Sequence, residues 1–310
     1  MGGEPLLCGV ELGGTKCVCL AGTRDGSVLA QAALPTGSEP LVTLQRIADQ
    51  LRDFAAMHGP CAALGIASFG PLELRRDAAD YGRIGVTTKP GWSGCDLAGF
   101  FATRYGARLG VSTDVIGAAL AEARWGAARG LSDFAYVTVG TGVGVGLVVA
   151  GRPVHGWHHP ELGHVRVQRL SGDAWPGNCR FHGDCVEGLA AGPAIEARVG
   201  APPASLGADH PVWEQVAHAL AQLAHTLVVA TAPQRILFGG GVMSAQPHLL
   251  ARIRARLRLS LNGYMAIEQV PGGLEAYIAP PGLGTRAGPL GALALAADAL
   301  AAAAPPQEQA

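Results

Sequence analysis

Hydrophobic positions along this chain alternate between short unbroken runs and longer stretches with helical spacing. Leu6 to Leu12 and Lys16 to Ala21 are apolar runs on either side of Gly13-Gly14, the pattern of two strands joined by a glycine turn. Val28 to Leu34 extends the pattern as a third strand. From Leu41 to Met57 the period changes: Leu44, Ile47, Ala48, Leu51 and Ala55 share one helical face. Ala63 to Ser68 predicts a buried strand closed by Gly70-Pro71. Arg108 to Ser112 predicts another, ending at Asp114, with a helix from Val115 to Trp125.

A second strand-rich block opens near Phe134. Phe134 to Gly151 is uncharged and as long as a membrane span, but its Gly-x-Gly pattern favours paired strands around a turn. Asp209 to Ala230 predicts a long helix with Pro211 in its first turn. Arg235 to Phe238 is a strand running into Gly239-Gly240-Gly241. Leu249 to Leu261 is a basic amphipathic helix whose arginines read as a solvated face. Gly288 to Ala304 is Ala-rich and helix-forming, and the tail from Pro305 is expected to be disordered. The chain divides into two α/β halves with no close tandem repeat. Residues 1–113 form a smaller N-terminal α/β domain, to which a C-terminal helix (about 285–303) returns. Residues 114–284 form a larger α/β domain.

With 310 residues, 49% of them hydrophobic, the chain suits a soluble globular protein of one large or two medium domains. A formal net charge of -1 argues against a general nucleic-acid or membrane-surface footprint. Seven cysteines, an odd number, do not form a disulfide framework. Cys8, Cys17 and Cys19 lie in apolar runs and read as small core residues. No basic segment followed by an apolar one opens the chain, so a cytoplasmic protein is expected.

Several stretches carry candidate chemistry. GVELGGTKCVC, Gly9 to Cys19, places a glycine turn between strands, where backbone N–H groups can approach a phosphate with no Cβ in the way. Thr15 adds a hydroxyl and Lys16 a charge. The Walker spacing is absent, and the same residues fit an ordinary hairpin turn. TVGTGVGVG, Thr138 to Gly146, repeats strand, Gly-Thr turn and strand in the other half. Two such hairpins facing each other could hold a polyphosphate, or both could be plain turns. FGGGV, Phe238 to Val242, offers flat backbone to an adenine or ribose, or serves only as a strand-to-helix turn. Asp114 stands at a strand end where a helix begins. It reads either as an N-cap or as a general base at the carboxyl end of a sheet strand.

Cys179-x-x-His182-x-x-Cys185, with His164 upstream, supplies two Cys and two His, which suits tetrahedral Zn2+ with no open position. Such a zinc is structural. Gly177, Asn178 and Gly183 favour the turns it needs. His155, His158 and His159 are further candidate ligands. Glu161 and Glu187 flank the set, and a metal knuckle would hold these carboxylates rigidly enough for bidentate binding of neighbouring sugar hydroxyls.

Taken in order, ELGGTK, GPLEL with YGRIGVTTKPGW, STDV, VGTGVGVG, HPELGHV, CRFHGDCVEGLAAGPAI and FGGGV resemble the ROK sugar kinases, most closely their bacterial fructokinase branch. TTKPGW is the element most typical of that branch. The resemblance implies an actin-like ATPase (ribonuclease H-like) fold of two α/β domains around a cleft. It implies Mg-ATP against Gly13, Gly14, Thr15, Lys16, Gly140, Thr141, Gly142, Gly239, Gly240 and Gly241. The sugar would lie near Gly70, Pro71, Glu161, His164 and Glu187, with Asp114 as catalytic base. His164, Cys179, His182 and Cys185 would hold structural zinc, so His164 faces two claims that its two ring nitrogens could divide. The implied activity is ATP-dependent phosphorylation of a hexose, fructose foremost, with glucose, mannose or N-acetylmannosamine as alternatives, in a homodimer with no nucleic-acid or membrane partner. A non-catalytic ROK-type sugar sensor is the alternative class. Such regulators carry an N-terminal helix-turn-helix domain, and a phosphate-loop strand beginning by residue 6 leaves no room for one. The chain also departs from the family pattern. Glu11 stands where Asp is common, His182 replaces a Cys, Ile116 replaces an Asn after the base, and Ser112-Thr113 replaces the commoner acidic and Asn residues before it.

Overall fold

The structure, a computed structural model, describes residues 4–105 and 108–303. The tail from Pro305 lies outside the described residues. The chain divides into two compact units of nearly equal length. One comprises residues 1–126, 155–159 and 286–310; the other comprises 127–154 and 160–285.

The first unit holds strands β1 (Leu6–Leu12), β2 (Lys16–Gly22), β3 (Val28–Pro35), β4 (Cys61–Ser68) and β5 (Leu109–Thr113). Its helices include α1 (Pro40–His58), α2 (Leu97–Tyr105) and α3 (Asp114–Trp125). The sheet order is β3-β2-β1-β4-β5. The first three strands pair antiparallel, whereas β1, β4 and β5 run parallel. Helix α1 buries Leu44, Ile47, Ala48 and Leu51 of the stripe its periodicity predicts, and Phe54 beside them, while Ala55 is only half-buried. Cys8, Cys17 and Cys19 are buried as small core residues.

In the second unit, β6 (Phe134–Val139), β7 (Val143–Val149), β8 (Arg152–Pro153), β9 (Arg235–Gly239) and β10 (Ile278–Ala279) form a sheet ordered β10-β9-β6-β7-β8. Read from β8, this repeats the first sheet: three antiparallel strands, then two that continue parallel. The repeat is one of topology, which explains why no tandem repeat shows in the sequence. Phe134 to Gly151 is thus a hairpin, and no helix among the described residues is long and apolar enough to cross a membrane. Short helices α4 (Val186–Ala190) and α5 (Gly192–Val199) precede α6 (Val212–Thr231), and α7 (Gly241–Ala245), α8 (Leu249–Leu261) and α9 (Gly273–Tyr277) follow β9. Trp213, Val216, Leu220 and Leu227 of α6 and Ile253 and Leu257 of α8 build the core here. Helix α6 begins after Pro211, later than its sequence pattern suggests, because the His210 ring accepts the Val212 N–H at 3.2 Å just outside the helix.

The last helix, α10 (Ala287–Ala302), packs along β1, β4, β5 and α3 of the first unit. Register aligns Gly9 with Gly65 and Gly65 with Gly110 across three strands. A Cβ on Gly9 would lie 2.9 Å from Ala292 Cβ, one on Gly65 1.9 Å from the Ala292 carbonyl, and one on Gly110 2.5 Å from the Leu295 carbonyl. The glycine row is therefore a trough that admits helix backbone. Gly117 of α3 and Gly291 of α10 permit a second close crossing, where a Cβ on Gly291 would come 2.3 Å from the Gly117 carbonyl carbon. This packing ties α3 to the first unit. The division thus falls after residue 126, not before 114, and the expected size difference between the halves disappears.

Gly65→Ala is expected to lower stability by about 1–3 kcal/mol or more, as overpacking does, because α10 backbone must move to admit one methyl. A thermal melt of the variant beside the parent checks this, and an unchanged melting temperature would mean that the trough tolerates a side chain.

Candidate active site and metal centre

In the first unit, register pairs Leu12 with Ser68 and Ser68 with Thr113, so β1, β4 and β5 end at one level. The Gly13–Lys16 turn, Gly70-Pro71 and Asp114 all follow those carboxyl ends, where open α/β sheets place their ligands. Asp114 is the first residue of α3, but the cap is Thr113, whose Oγ1 accepts the Ile116 N–H at 3.3 Å. The N-cap reading of Asp114 is therefore corrected. Its own Oδ1 accepts the Val115 N–H at 2.8 Å. Burial pushes the Asp114 carboxyl up to about 6, against the backbone N–H groups that lower it. Ile116 is 3% exposed and brings no polar group to this edge.

Glu11, on β1, shares that edge. Burial raises its carboxyl to about 7, the negative charge of Asp114 adds to the rise, and Lys16 offsets it. A Cβ on Gly288, in the first turn of α10, would stand 2.0 Å from Glu11 Oε1, so the glutamate lies against that helix. The Gly70-Pro71 peptide is cis. Just beyond it, the Leu72 N–H donates to His159 Nε2 at 3.1 Å. His159, a candidate metal ligand by sequence, serves this turn instead, and His155 and His158 also stand outside the metal group.

The Gly13–Lys16 turn is held by residues the sequence did not single out. Thr36 Oγ1 donates to the Gly13 carbonyl at 2.8 Å, and the Thr36 N–H donates to the Thr15 carbonyl at 2.9 Å. Lys89 Nζ donates to the Gly14 carbonyl at 2.5 Å and to the Thr36 carbonyl at 3.1 Å. Lys89 belongs to TTKPGW, so the motif was visible although this contact was not.

In the second unit, β6 and β9 are parallel neighbours with Thr138 opposite Gly239. Gly140, Thr141 and Gly142 follow one strand end, and Gly239, Gly240 and Gly241 the other. A Cβ on Gly140 would meet the Gly241 nitrogen at 3.8 Å, so these two loops are adjacent. Gly240 has φ +92°, and a Cβ there would sit 2.5 Å from the Val139 carbonyl. Glu187 Oε2 accepts the Val143 N–H at 3.1 Å. A Cβ on Gly163 would strike the Val143 carbonyl at 1.7 Å, so the Leu162–His164 turn lies directly on the start of β7. Val143 thus gathers Glu187, the Gly140–Gly142 loop and the turn carrying His164. Glu161 is exposed at the head of that turn, its carbonyl accepting the His164 N–H at 2.9 Å.

One ligand atom from each of His164, Cys179, His182 and Cys185 lies within 4.8 Å of the others. Cys179 Sγ is 3.7 Å from both His164 Nδ1 and His182 Nδ1, and Cys185 Sγ is 3.5 Å from His164 Nδ1. Tetrahedral Zn2+ with ordinary bond lengths sets S···N edges of about 3.6 Å, so the donor set fits that ion in number, type and spacing. The residues between close as a tight hairpin, with Cys179 and Gly183 exchanging both backbone hydrogen bonds. A Cβ on Gly188 would fall 1.9 Å from the Gly183 carbonyl, which fastens the hairpin to α4. An ion-pair chain braces the centre. Arg169 reaches Asp184 and Asp173 at 3.1 Å each, and Arg198 reaches Asp173 at 2.7 Å. Burial works to raise the Asp173 carboxyl, but hydrogen bonds from Arg198, Arg169 and the Trp175 N–H bring it down to about 2.

The family model described as ROK family matches residues 7–299. The fructokinase of Pediococcus pentosaceus is 40% identical over 295 residues, covering 95% of this chain and 99% of that one. The fructokinase of Zymomonas mobilis is 38% identical over 294 residues, covering 93% and 95%. Among solved structures, a ROK hexokinase from Thermus thermophilus superposes with a TM-score of 0.76 at 27% identity, covering 94% of this chain and 97% of that one. The paired sheets agree with the actin-like ATPase fold. With its motifs in order and nearly its whole length matched, this chain belongs to the ROK family.

Proposed function

We propose that this protein is an ATP-dependent hexose kinase that converts fructose to fructose 6-phosphate, with Asp114 as general base. The observation that carries the reading is Asp114 itself, an ionisable, half-buried carboxylate at the same strand-end level as the phosphate-type hairpin of β1 and β2. The full-length relatives named fructokinase support fructose as the sugar. A carboxyl near 6 is mostly ionised at neutral pH yet basic enough to take a proton as it develops, the balance a general base needs. Asp114 accepts the proton of the attacking sugar hydroxyl. The hydroxyl oxygen bonds to the γ-phosphorus as the bond to the ADP leaving group breaks. Mg2+ on the ATP supplies charge neutralisation for the phosphates.

The remaining site residues follow the same reading. Gly13, Gly14, Thr15 and Lys16 offer N–H groups, a hydroxyl and a charge to ATP, and Gly140 to Gly142 and Gly239 to Gly241 offer bare backbone. Gly70, Pro71, Glu161, His164 and Glu187 contact the sugar. Zinc on His164, Cys179, His182 and Cys185 holds the segment from which Glu187 projects. With Nδ1 turned to the metal group, His164 keeps Nε2 for a hydroxyl. A cytoplasmic homodimer belongs to this reading on family resemblance.

The direct experiment is a coupled ADP-release assay with Mg-ATP across fructose, glucose, mannose and N-acetylmannosamine. Fructose is expected to give the highest kcat/KM. Preference for another hexose would keep the kinase and change its substrate, and no turnover on any sugar would favour the sensor class. Asp114→Asn is expected to keep fold and zinc while kcat falls by about 10²–10⁴-fold, the usual contribution of a general base. In the parent enzyme kcat/KM should fall as pH drops through about 6. A carboxyl whose folded pKa lies above its unfolded value favours folding least when ionised. The Asn variant should therefore melt no lower than the parent at neutral pH, and near-normal turnover would remove Asp114 from the base role. Cys179→Ser should reduce bound zinc from about one per chain to near none, lower the melting temperature and raise the fructose KM by about 10-fold or more. Unchanged metal content would refute the knuckle.

A further inference from the structure

The hairpin between β1 and β2 has an asymmetry that neither its glycines nor Lys16 explains. Three successive carbonyls, those of Gly13, Gly14 and Thr15, are all occupied from one side by Thr36 Oγ1, Lys89 Nζ and the Thr36 N–H respectively. A trans peptide is planar, and its N–H points opposite to its C=O. Fixing the Gly13 and Gly14 carbonyls therefore turns the N–H groups of Gly14 and Thr15 to the other side. There both residues are exposed, and among the described residues neither N–H has a protein acceptor. Adjacent N–H groups facing one way form a concavity for an anion.

Of the three carbonyls, that of Gly14 depends on a side chain distant in sequence. Gly14 carries no Cβ, and one built there would meet nothing within 4 Å, so sterics do little to stop its peptide rotating. The Lys89 ammonium supplies the missing restraint. Lys89 is itself held in place. Its N–H donates to Thr87 Oγ1 at 3.3 Å, and the Thr87 N–H donates to Ser93 Oγ at 3.1 Å. The fully buried Trp92 donates Nε1–H to the Gly37 carbonyl at 2.8 Å. A Cβ on Gly91, φ +81°, would stand 2.0 Å from the Ser38 carbonyl. The TTKPGW segment is thus stapled along residues 36–38 and delivers one cation to the Gly14 and Thr36 carbonyls.

We propose that Lys89 is a positioning residue. By holding the Gly14 carbonyl it fixes the Gly14–Thr15 peptide with its N–H outward, and so builds the cradle for the terminal phosphates of the phosphoryl donor. Without it, the peptide is free to turn its carbonyl outward and oppose a phosphate oxygen. The Lys89 charge also stands behind the loop, where it favours an anion in front. This inference rests on the kinase reading and adds to it a residue that serves the nucleotide, not the sugar.

The test compares Lys89→Met and Lys89→Arg with the parent by steady-state kinetics, and by calorimetric titration with Mg-ATP in the absence of sugar. In Lys89→Met, kcat/KM for Mg-ATP should fall by about 100-fold, as for a small misplacement of a reacting group. Fructose KM, zinc content and melting temperature should not change. Lys89→Arg, which keeps charge and donor, should recover most of the loss. Parent-like kcat/KM for Mg-ATP in Lys89→Met would overturn the proposal, as would a loss confined to fructose KM. If the parent phosphorylates no sugar, the kinase reading fails separately and the titration still decides: weaker Mg-ATP binding in Lys89→Met supports the positioning role, and equal binding ends it. Absence of Mg-ATP binding in the parent would end both. Should Lys89→Met fail to fold, Lys89→Gln, which removes the charge and shortens the reach to the Gly14 carbonyl, carries the test with the same readouts.

Discussion

The first unit depends on one close approach, that of the α10 backbone to the row of Gly9, Gly65 and Gly110. A helix normally rides on a sheet at the distance its side chains impose. Here three strands offer no side chains along one line, and the facing helix turns are Ala-rich, so backbone meets backbone. Close packing of this kind leaves few voids and transmits displacement with little give. Its consequences reach the chemistry. Gly288 of the same helix lies against Glu11, and Gly291 lies against α3, whose first residue is Asp114. The candidate base and its neighbouring carboxylate are positioned by a helix that meets them only after nearly the whole chain has passed.

That rigidity matters because the strand-end edge is electrostatically unfavourable. Burial raises both carboxyls above their usual range, and the charge of Asp114 adds to the rise at Glu11. Ionised carboxylates would be more stable in water. They stay because the backbone that carries them is over-determined by the packing behind it. Functional sites commonly keep such unfavourable groups where the surroundings leave no alternative. The second unit shows the same logic in another form. Gly163 on Val143 and Gly188 on Gly183 bring loop backbone within contact distance, and the four metal-ligand side chains converge at the spacing of a tetrahedral ion.

Much of this was legible in the chain. Strand periods gave β1 to β7 and β9, helical periods gave α1, α3, α6, α8 and α10, and ligand spacing gave the metal group. The losses have physical causes. Helices α4 and α5 escaped because they are too short, at five and eight residues, for a helical period to show, although Pro193 in the first turn of α5 suits a helix start. The glycine row escaped because Gly9, Gly65 and Gly110 are aligned by strand register, which sequence spacing does not reveal. His159 looked like a metal ligand through its proximity to His164. The fold instead gives it to Leu72, 87 residues away. Asp114 looked like a cap because acidic residues cap helices well, yet the preceding Thr113 already fills that role. In each case the ambiguity was local and the answer tertiary.

The shared sheet order of the two units sharpens what differs between them. Each begins with a strand that turns through glycine into an antiparallel partner and continues on its other side with two parallel strands. An N–H pair at the first turn needs its carbonyls tied back, which Thr36 and Lys89 accomplish from segments beyond that hairpin. At the corresponding turn in the second unit, the Gly140 carbonyl accepts the Gly192 N–H at 2.7 Å and the Val143 N–H is taken by Glu187. One turn therefore has its carbonyls held, while its Gly14 and Thr15 N–H groups have no protein acceptor among the described residues. The other spends an N–H on a carboxylate, which fixes the orientation of Glu187. A common hairpin is thus held differently in the two units, by its carbonyls in one, and by a carbonyl and an N–H that orients an acidic side chain in the other. The residues that decide the direction lie outside the hairpins themselves.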